Sequence, residues 1–125
     1  MKVSEIMNKA VVIDCDMALK DAALIMSRMG IGCLTFLKDK KIKGIITERD
    51  ILKNISNPKK KVSSVMTKKV IVADINDYLE TIISIMASHR IKKLLIMEKE
   101  KLVGIVTATD IISHSNLLHE DMFFS

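Results

Sequence analysis

The residues of this chain best suited to chemistry come in two matched sets. Gly44-Ile45-Ile46-Thr47-Glu48-Arg49-Asp50 is answered by Gly104-Ile105-Val106-Thr107-Ala108-Thr109-Asp110. Each set ends on Thr-x-x-Asp and runs into an aliphatic stretch, Ile51-Leu52 or Ile111-Ile112. Two readings follow. In one, the set is a capping box: the Thr oxygen accepts from a free amide at a helix start, and the acidic residue three on sits at the positive helix end. In the other, the same junction binds a ligand. Unpaired amides suit a phosphate. A short carboxylate accepts from both hydroxyls of a vicinal diol. The Thr hydroxyl donates to a phosphate or sugar oxygen.

Gly44 and Gly104 either let a planar ring or its sugar approach the backbone or mark a close backbone approach or bulge in a hairpin. Arg49 can reach a phosphate as a planar fork or pair with Glu48. The second set has Ala108 and Thr109 there, with His89, Arg90, Lys92 and Lys93 as the nearby basic group, so two unequal sites are expected. Other chemistry has less behind it. His114 and His119 are five apart, on different faces of a helix. Asp110 and His114 share a face, but two ligands do not make a zinc site, so no metal is expected even with Glu120 and Asp121 close by. Cys33 lies in an apolar run and reads as a small core residue. No nucleophile–base arrangement is readable, and no catalytic activity is expected.

The elements that must position these residues are also written twice. Val3-Ser-Glu-Ile-Met7 answers Val62-Ser-Ser-Val-Met66, and from Ala10 onward Asp14 meets Asp74, Leu19 meets Leu79, Met26 meets Met86 and Leu34 meets Leu94. The β-branched runs at 10–13 and 70–72 predict strands, with Asp16 and Asn76 as N-caps of the helices that follow. Leu19, Ala22, Ala23, Met26 and Met29, then Leu79, Ile82, Ile83 and Met86, have helical spacing. The apolar runs 33–37 and 93–97 precede polar turns and second hairpin arms, and final helices follow. The chain is thus an α+β (mixed α/β) protein of two β-α-β-β-α repeats, with small sheets and helices on one side. A unit of roughly 60 residues is marginal alone. The two are expected to pack together about a pseudo-two-fold axis. The expected division is 1–57, a linker at 58–61, 62–119, and a tail at 120–125 whose Phe123 and Phe124 suit a contact surface.

Bulk properties bound the function. The 125 residues are 49% hydrophobic and 28% charged, with net charge +5. No apolar run approaches the roughly 18 residues a membrane span needs. The start, MKVSEIMNK, lacks the apolar block of a secretory leader, and two cysteines make no disulfide framework. A cytoplasmic protein is expected, with no membrane partner. The basic balance attracts anions, which leaves nucleic acid as a rival partner. The four aromatic residues (Phe36, Tyr78, Phe123, Phe124) do not interleave with a basic stripe, so stacking platforms are missing.

In the order and spacing of VSEIM and VSSVM, the helix closing on Met26-x-x-Met29 or Met86, and the final Gly-hydrophobic-x-Thr-x-x-Asp-Ile, each repeat resembles a cystathionine β-synthase (CBS) domain. The pair resembles a Bateman module. The resemblance implies a non-catalytic regulatory module that needs no cofactor. It would bind AMP, ADP, ATP or S-adenosylmethionine in clefts between the repeats, form a homodimer, and signal to an effector protein. It implies that Asp50 and Asp110 hold ribose and that Thr47 and Thr107 face phosphate or sugar. Val11, Val12, Ile71 and Val72 would flank the base. Cys33 and Leu34, with Lys93 and Leu94, would line the other wall, although a Pro common in the family is replaced here by Thr35 and Leu95. A purely structural module with empty clefts is the remaining alternative.

Overall fold

The computed structural model describes residues 1–114. They form two compact units whose boundaries do not follow the repeats: one is Val11–Val70, the other joins Met1–Ala10 to the chain from Ile71 onward. Each repeat therefore opens with a segment that packs in the other repeat's unit.

In the Val11–Val70 unit, strand β1 (Val12–Ile13) runs parallel to β2 (Cys33–Lys38), which pairs antiparallel with β3 (Lys41–Thr47). Helix α1 (Leu19–Met29) connects β1 to β2, and the short α2 (Glu48–Lys53) follows β3 directly. Asp39 and Lys40 both have positive φ (53° and 64°), the left-handed pair a tight two-residue hairpin demands. Leu19, Ala22 and Met26 bury one face of α1 against Ile13, Leu34, Phe36 and Ile46. Met29, predicted on that face, is exposed at the helix end. Gly30 closes α1 in the left-handed conformation, φ 64°, its amide donating to the carbonyls of Met26 and Ser27.

The other unit repeats this plan. Its strands are β4 (Val72–Asp74), β5 (Lys93–Glu98) and β6 (Lys101–Thr107), in the order β4-β5-β6. Its helices are α3 (Leu79–His89) and α4, helical over residues 108–114. Ala73, Ile82, Met86, Leu94, Ile96 and Val106 form the core. Ile83, placed on the apolar face by spacing, is exposed. β1 starts two residues later than the predicted 10–13 and ends with it, whereas β4 starts two residues after 70 and runs two past the predicted 72; the pairing with β2 and β5 begins at Val12–Thr35 and Val72–Leu95.

The expected N-caps are corrected. Asp16 and Asn76 do not cap α1 and α3; the N-cap positions are Ala18 and Tyr78, without side-chain caps. Main-chain carbonyls of the crossing segments do that work instead. Leu19 N donates to Lys60 O (2.8 Å) and Lys20 N to Pro58 O (3.0 Å), while Leu79 N donates to Met1 O (2.9 Å). Just beyond these carbonyls, Val62 and Val3 insert into the two cores, each fully buried. Asp16 is used elsewhere: its carboxylate accepts from Ser63 N (2.8 Å) and from Ser63 Oγ. The Ser63 hydroxyl holds the Asp16 carboxyl below the usual carboxylate range, with the Ser63 amide, Lys61 and Lys38 adding to the effect.

Candidate functional site

The junction from β3 to α2 forms because Thr47 keeps extended backbone (φ −118°, ψ 164°) while Glu48 enters the helix. Its hydroxyl accepts from Asp50 N at 3.3 Å and donates to Asp50 Oδ2 at 3.0 Å; Thr47 N donates to the same oxygen at 2.9 Å. Asn54 Nδ2 donates to Asp50 O (2.8 Å), steadying the last turn. The β6–α4 junction matches it: Thr107 N and Thr107 Oγ1 each lie 2.9 Å from Asp110 Oδ2, and Asp110 N is 3.2 Å from Thr107 Oγ1. The capping reading is therefore realised in both repeats.

This arrangement corrects part of the phosphate expectation. The first amide of α2, Glu48 N, donates to Gly32 O (3.0 Å), and in α4 Ala108 N donates to Lys92 O (2.8 Å). With the third amide held by Thr, neither junction presents a row of bare N–H groups. Chemistry remains in the carboxylates. An ionised carboxyl group offers about four lone-pair positions. The box uses two on Oδ2. Among the described residues no donor reaches Asp50 Oδ1, which leaves it two positions; Asp110 Oδ1 accepts from Asn8 Nδ2 at 3.0 Å, which leaves it one.

The glycines serve the protein's own backbone. A Cβ on Gly44 would stand 2.7 Å from Met66 Sδ and 2.8 Å from Thr67 O; one on Gly104 would stand 2.7 Å from Met7 Sδ and 3.0 Å from Asn8 O. Thr67 bridges Ile45 through two backbone hydrogen bonds, and Asn8 does the same to Ile105. Gly44 and Gly104 thus admit the crossing segment, which fills the space a Cβ would take.

The other expected residues divide. Cys33 pairs with Thr47 and Lys93 with Thr107, so both are brought beside the junctions, half-buried. Leu34 and Leu94 are fully buried, their side chains in the cores. Val12 and Val72 are exposed at the strand entrances, Val11 and Ile71 partly buried against the cores. Arg49 is exposed and, among the described residues, makes neither the ion pair with Glu48 nor any other. His119, Glu120, Asp121, Phe123 and Phe124 lie outside the described residues. Among those described, no cluster of three metal-ligating side chains occurs and no helix is long and apolar enough to cross a membrane. Asn8 went unseen in the sequence; the one usable signal was its alignment with Thr67 when the two opening segments are superimposed.

Comparison with known proteins agrees with this doubled geometry. The family model for the CBS domain matches residues 3–57 and again 62–116. The chain belongs to the CBS domain family. Solved structures of CBS pairs share its fold. The CBS domain pair of protein MJ0100, solved with 5′-methylthioadenosine and S-adenosyl-L-methionine, has TM-score 0.84 at 27% identity, covering 97% of this chain and 98% of that one. A conserved protein of Pyrococcus horikoshii has TM-score 0.83 at 28% identity, covering 91% of each chain. Hypoxic Response Protein I, solved with two coordinated zinc ions, has TM-score 0.72 at 27% identity, covering 91% of this CBS protein and 98% of its own chain. No curated protein matches significantly.

Proposed function

We propose that this CBS pair is a non-catalytic regulatory module that binds adenosine-containing ligands, with AMP, ADP, ATP and S-adenosylmethionine as the candidates, and signals to a partner protein. The observation that carries the reading is the Thr-x-x-Asp box at each strand-to-helix junction. Two hydrogen bonds, from Thr47 N and Thr47 Oγ1, fix the carboxylate's orientation through one oxygen. The cost of ordering that side chain is met before any ligand arrives, which is how preorganisation raises affinity. Asp50 Oδ1 then offers two lone-pair positions, the number a ribose 2′,3′-diol can fill with its two O–H donors. Capping and binding are compatible because they use different oxygens. The ligand pair bound by MJ0100, whose chain is matched nearly end to end, supports the same ligand class. Arg49, exposed one residue before Asp50, is the cation we assign to a ligand's phosphate. Homodimerisation belongs to the same proposal.

A thermal-shift series with AMP, ADP, ATP, S-adenosylmethionine and NAD tests it. A ligand that binds only the folded chain, at about one hundred times its Kd, adds about 2.7 kcal/mol of stability. At least one adenosine compound should raise the melting temperature, and Asp50→Ala with Asp110→Ala together should abolish the rise. A shift that survives in that double variant would refute the diol assignment, and the absence of any shift at millimolar ligand would refute the ligand class.

A specific observation also keeps polyanion binding in view. Residues 11–70 carry thirteen Lys and Arg against six Asp and Glu, net +7, whereas the rest of the chain carries seven against nine, net −2. Such asymmetry attracts polyanions. Salt-dependent retention on duplex DNA, with no adenosine-ligand shift, is the result that would favour this second reading.

A further inference from the structure

We infer that Asn8 makes the two repeats unequal as binding sites: its side-chain amide occupies Asp110, so the adenosine ligand is taken first at Asp50. This rests on the carboxylate–diol reading above and adds to it a residue that sets which site is used. Asn8 and Asp110 are 102 residues apart in sequence, and the segment carrying Asn8 is held to β6 by the Asn8–Ile105 backbone bonds (2.9 and 2.8 Å). That tether fixes Asn8 Cα beside the junction, so the amide reaches Asp110 Oδ1 at 3.0 Å without ordering a loose loop. The bond adds little to the orientation of Asp110, because Thr107 N and Thr107 Oγ1 already hold the carboxylate through its other oxygen. Its effect is on availability. A vicinal diol needs two acceptor positions, and Asp110 retains one on the outward oxygen.

The matching position in the other unit is Thr67, tethered to Ile45 by the same backbone pair (2.9 and 3.0 Å). Its side chain makes no hydrogen bond to Asp50 among the described residues, and a threonine carries no amide that could span the gap as asparagine does. Two boxes of nearly identical geometry therefore differ in one donor. A diol arriving at Asp110 must displace the Asn8 amide; one arriving at Asp50 displaces no side-chain donor among the described residues. A hydrogen bond to a charged group contributes more than a neutral one, and both partners here are partly solvated. The expected difference in affinity is about tenfold.

Isothermal titration of the full chain with AMP and with S-adenosylmethionine tests this. In the Asp50→Asn background only the Asp110 site can hold the diol, and adding Asn8→Thr should tighten the remaining binding about tenfold. In the Asp110→Asn background, Thr67→Asn should weaken the Asp50 site, and Asn8→Thr should leave it unchanged. Asn8→Ala, with melting curves taken alongside, serves if the threonine variant folds poorly. Unchanged affinity on Asn8→Thr and Asn8→Ala, while Asp50→Asn with Asp110→Asn still abolishes binding, overturns the role of Asn8 and leaves the diol reading standing. Binding that persists in the double Asp variant overturns both.

Discussion

Of the four glycines, Gly44 has the least room for a side chain. It pairs with Phe36 at the point where the β2–β3 register shifts, and the crossing segment at Met66–Thr67 packs against it. A Cβ there would meet Met66 Sδ at 2.7 Å, Thr67 O at 2.8 Å and Met66 Cγ at 2.9 Å, against the roughly 3.5–4.0 Å at which carbon contacts are comfortable. The Met66 side chain can swing away, because thioether chains are adaptable. Thr67 O cannot move without lengthening the bond it accepts from Ile45 N, now 3.0 Å. Gly44→Ala is then an overpacking change, of the kind that costs about 1–3 kcal/mol. Unfolding entropy of roughly 2.1 cal/mol/K per residue, over a chain of this length, makes about 2 kcal/mol a fall of about 8 °C in Tm.

Scanning calorimetry of a short glycine series separates this account from a general intolerance of added methyls. Gly104→Ala should cost somewhat less than Gly44→Ala, since its backbone obstacle, Asn8 O, stands at 3.0 Å. Gly32→Ala meets only the movable end of Glu48 at 2.8 Å and should cost about 0.5 kcal/mol or less. In a Met66→Ala background, Gly44→Ala should recover only part of its cost, because the carbonyl obstacle remains. A Gly44→Ala protein that melts within a degree of Gly32→Ala would show that the Met66–Thr67 segment does not pack against Gly44, and the account of both glycines would fall with it.

Two further outcomes follow from the crossing segments. Val3→Ala and Val62→Ala each remove two methyl groups from a fully buried position, so each should destabilise by about 2 kcal/mol in urea melts, at about 0.8 kcal/mol per group plus a cavity term; losses near zero would show those segments to be surface appendages. Asp16 is held below its ordinary carboxyl value of 3.8 in the folded chain, so its contribution to stability is present above that value and is lost as pH falls through the lower folded value. Melts between pH 5 and pH 2.5 should show Ser63→Ala losing less stability on acidification than wild type, by a small margin since Asp16 is exposed; parallel curves would refute the pairing.

What the amino-acid sequence disclosed, and what it hid, follow a physical division. Features written in side chains could be read. Apolar spacing placed Leu19, Ala22 and Met26 on one helix face, and they are buried there. The polar turns after Leu37 and Met97 marked the hairpins that join β2 to β3 and β5 to β6. Thr47 with Asp50, and Thr107 with Asp110, announced capping boxes that are present. Features made by main chain could not be read. The carbonyls of Lys60, Pro58 and Met1 cap α1 and α3, yet any residue supplies a carbonyl, so the nearer Asp16 and Asn76 were the natural but mistaken choice.

The same division bears on the candidate site residues. Gly44 and Gly104 carry a pattern that says only that something approaches closely, and sequence has no means to distinguish a ligand from the chain's own strand. Leu34 and Leu94 stand next in line to the half-buried Cys33 and Lys93, but alternation along a strand sends them to the opposite face, where both are fully buried. Asn8 is the sharper case. Repetition invites the two junctions to be treated as equal, and within the motif they differ at Arg49 against Thr109. The donor that actually distinguishes Asp110 from Asp50 comes from the opening segment, at a position that matters only because that segment crosses to the far repeat's unit. Exchange of opening segments is therefore more than a packing device. It places each unit's cap carbonyls, one core valine and one residue beside the carboxylate on a stretch of chain belonging to the other repeat, so a change at residue 8 acts at residue 110.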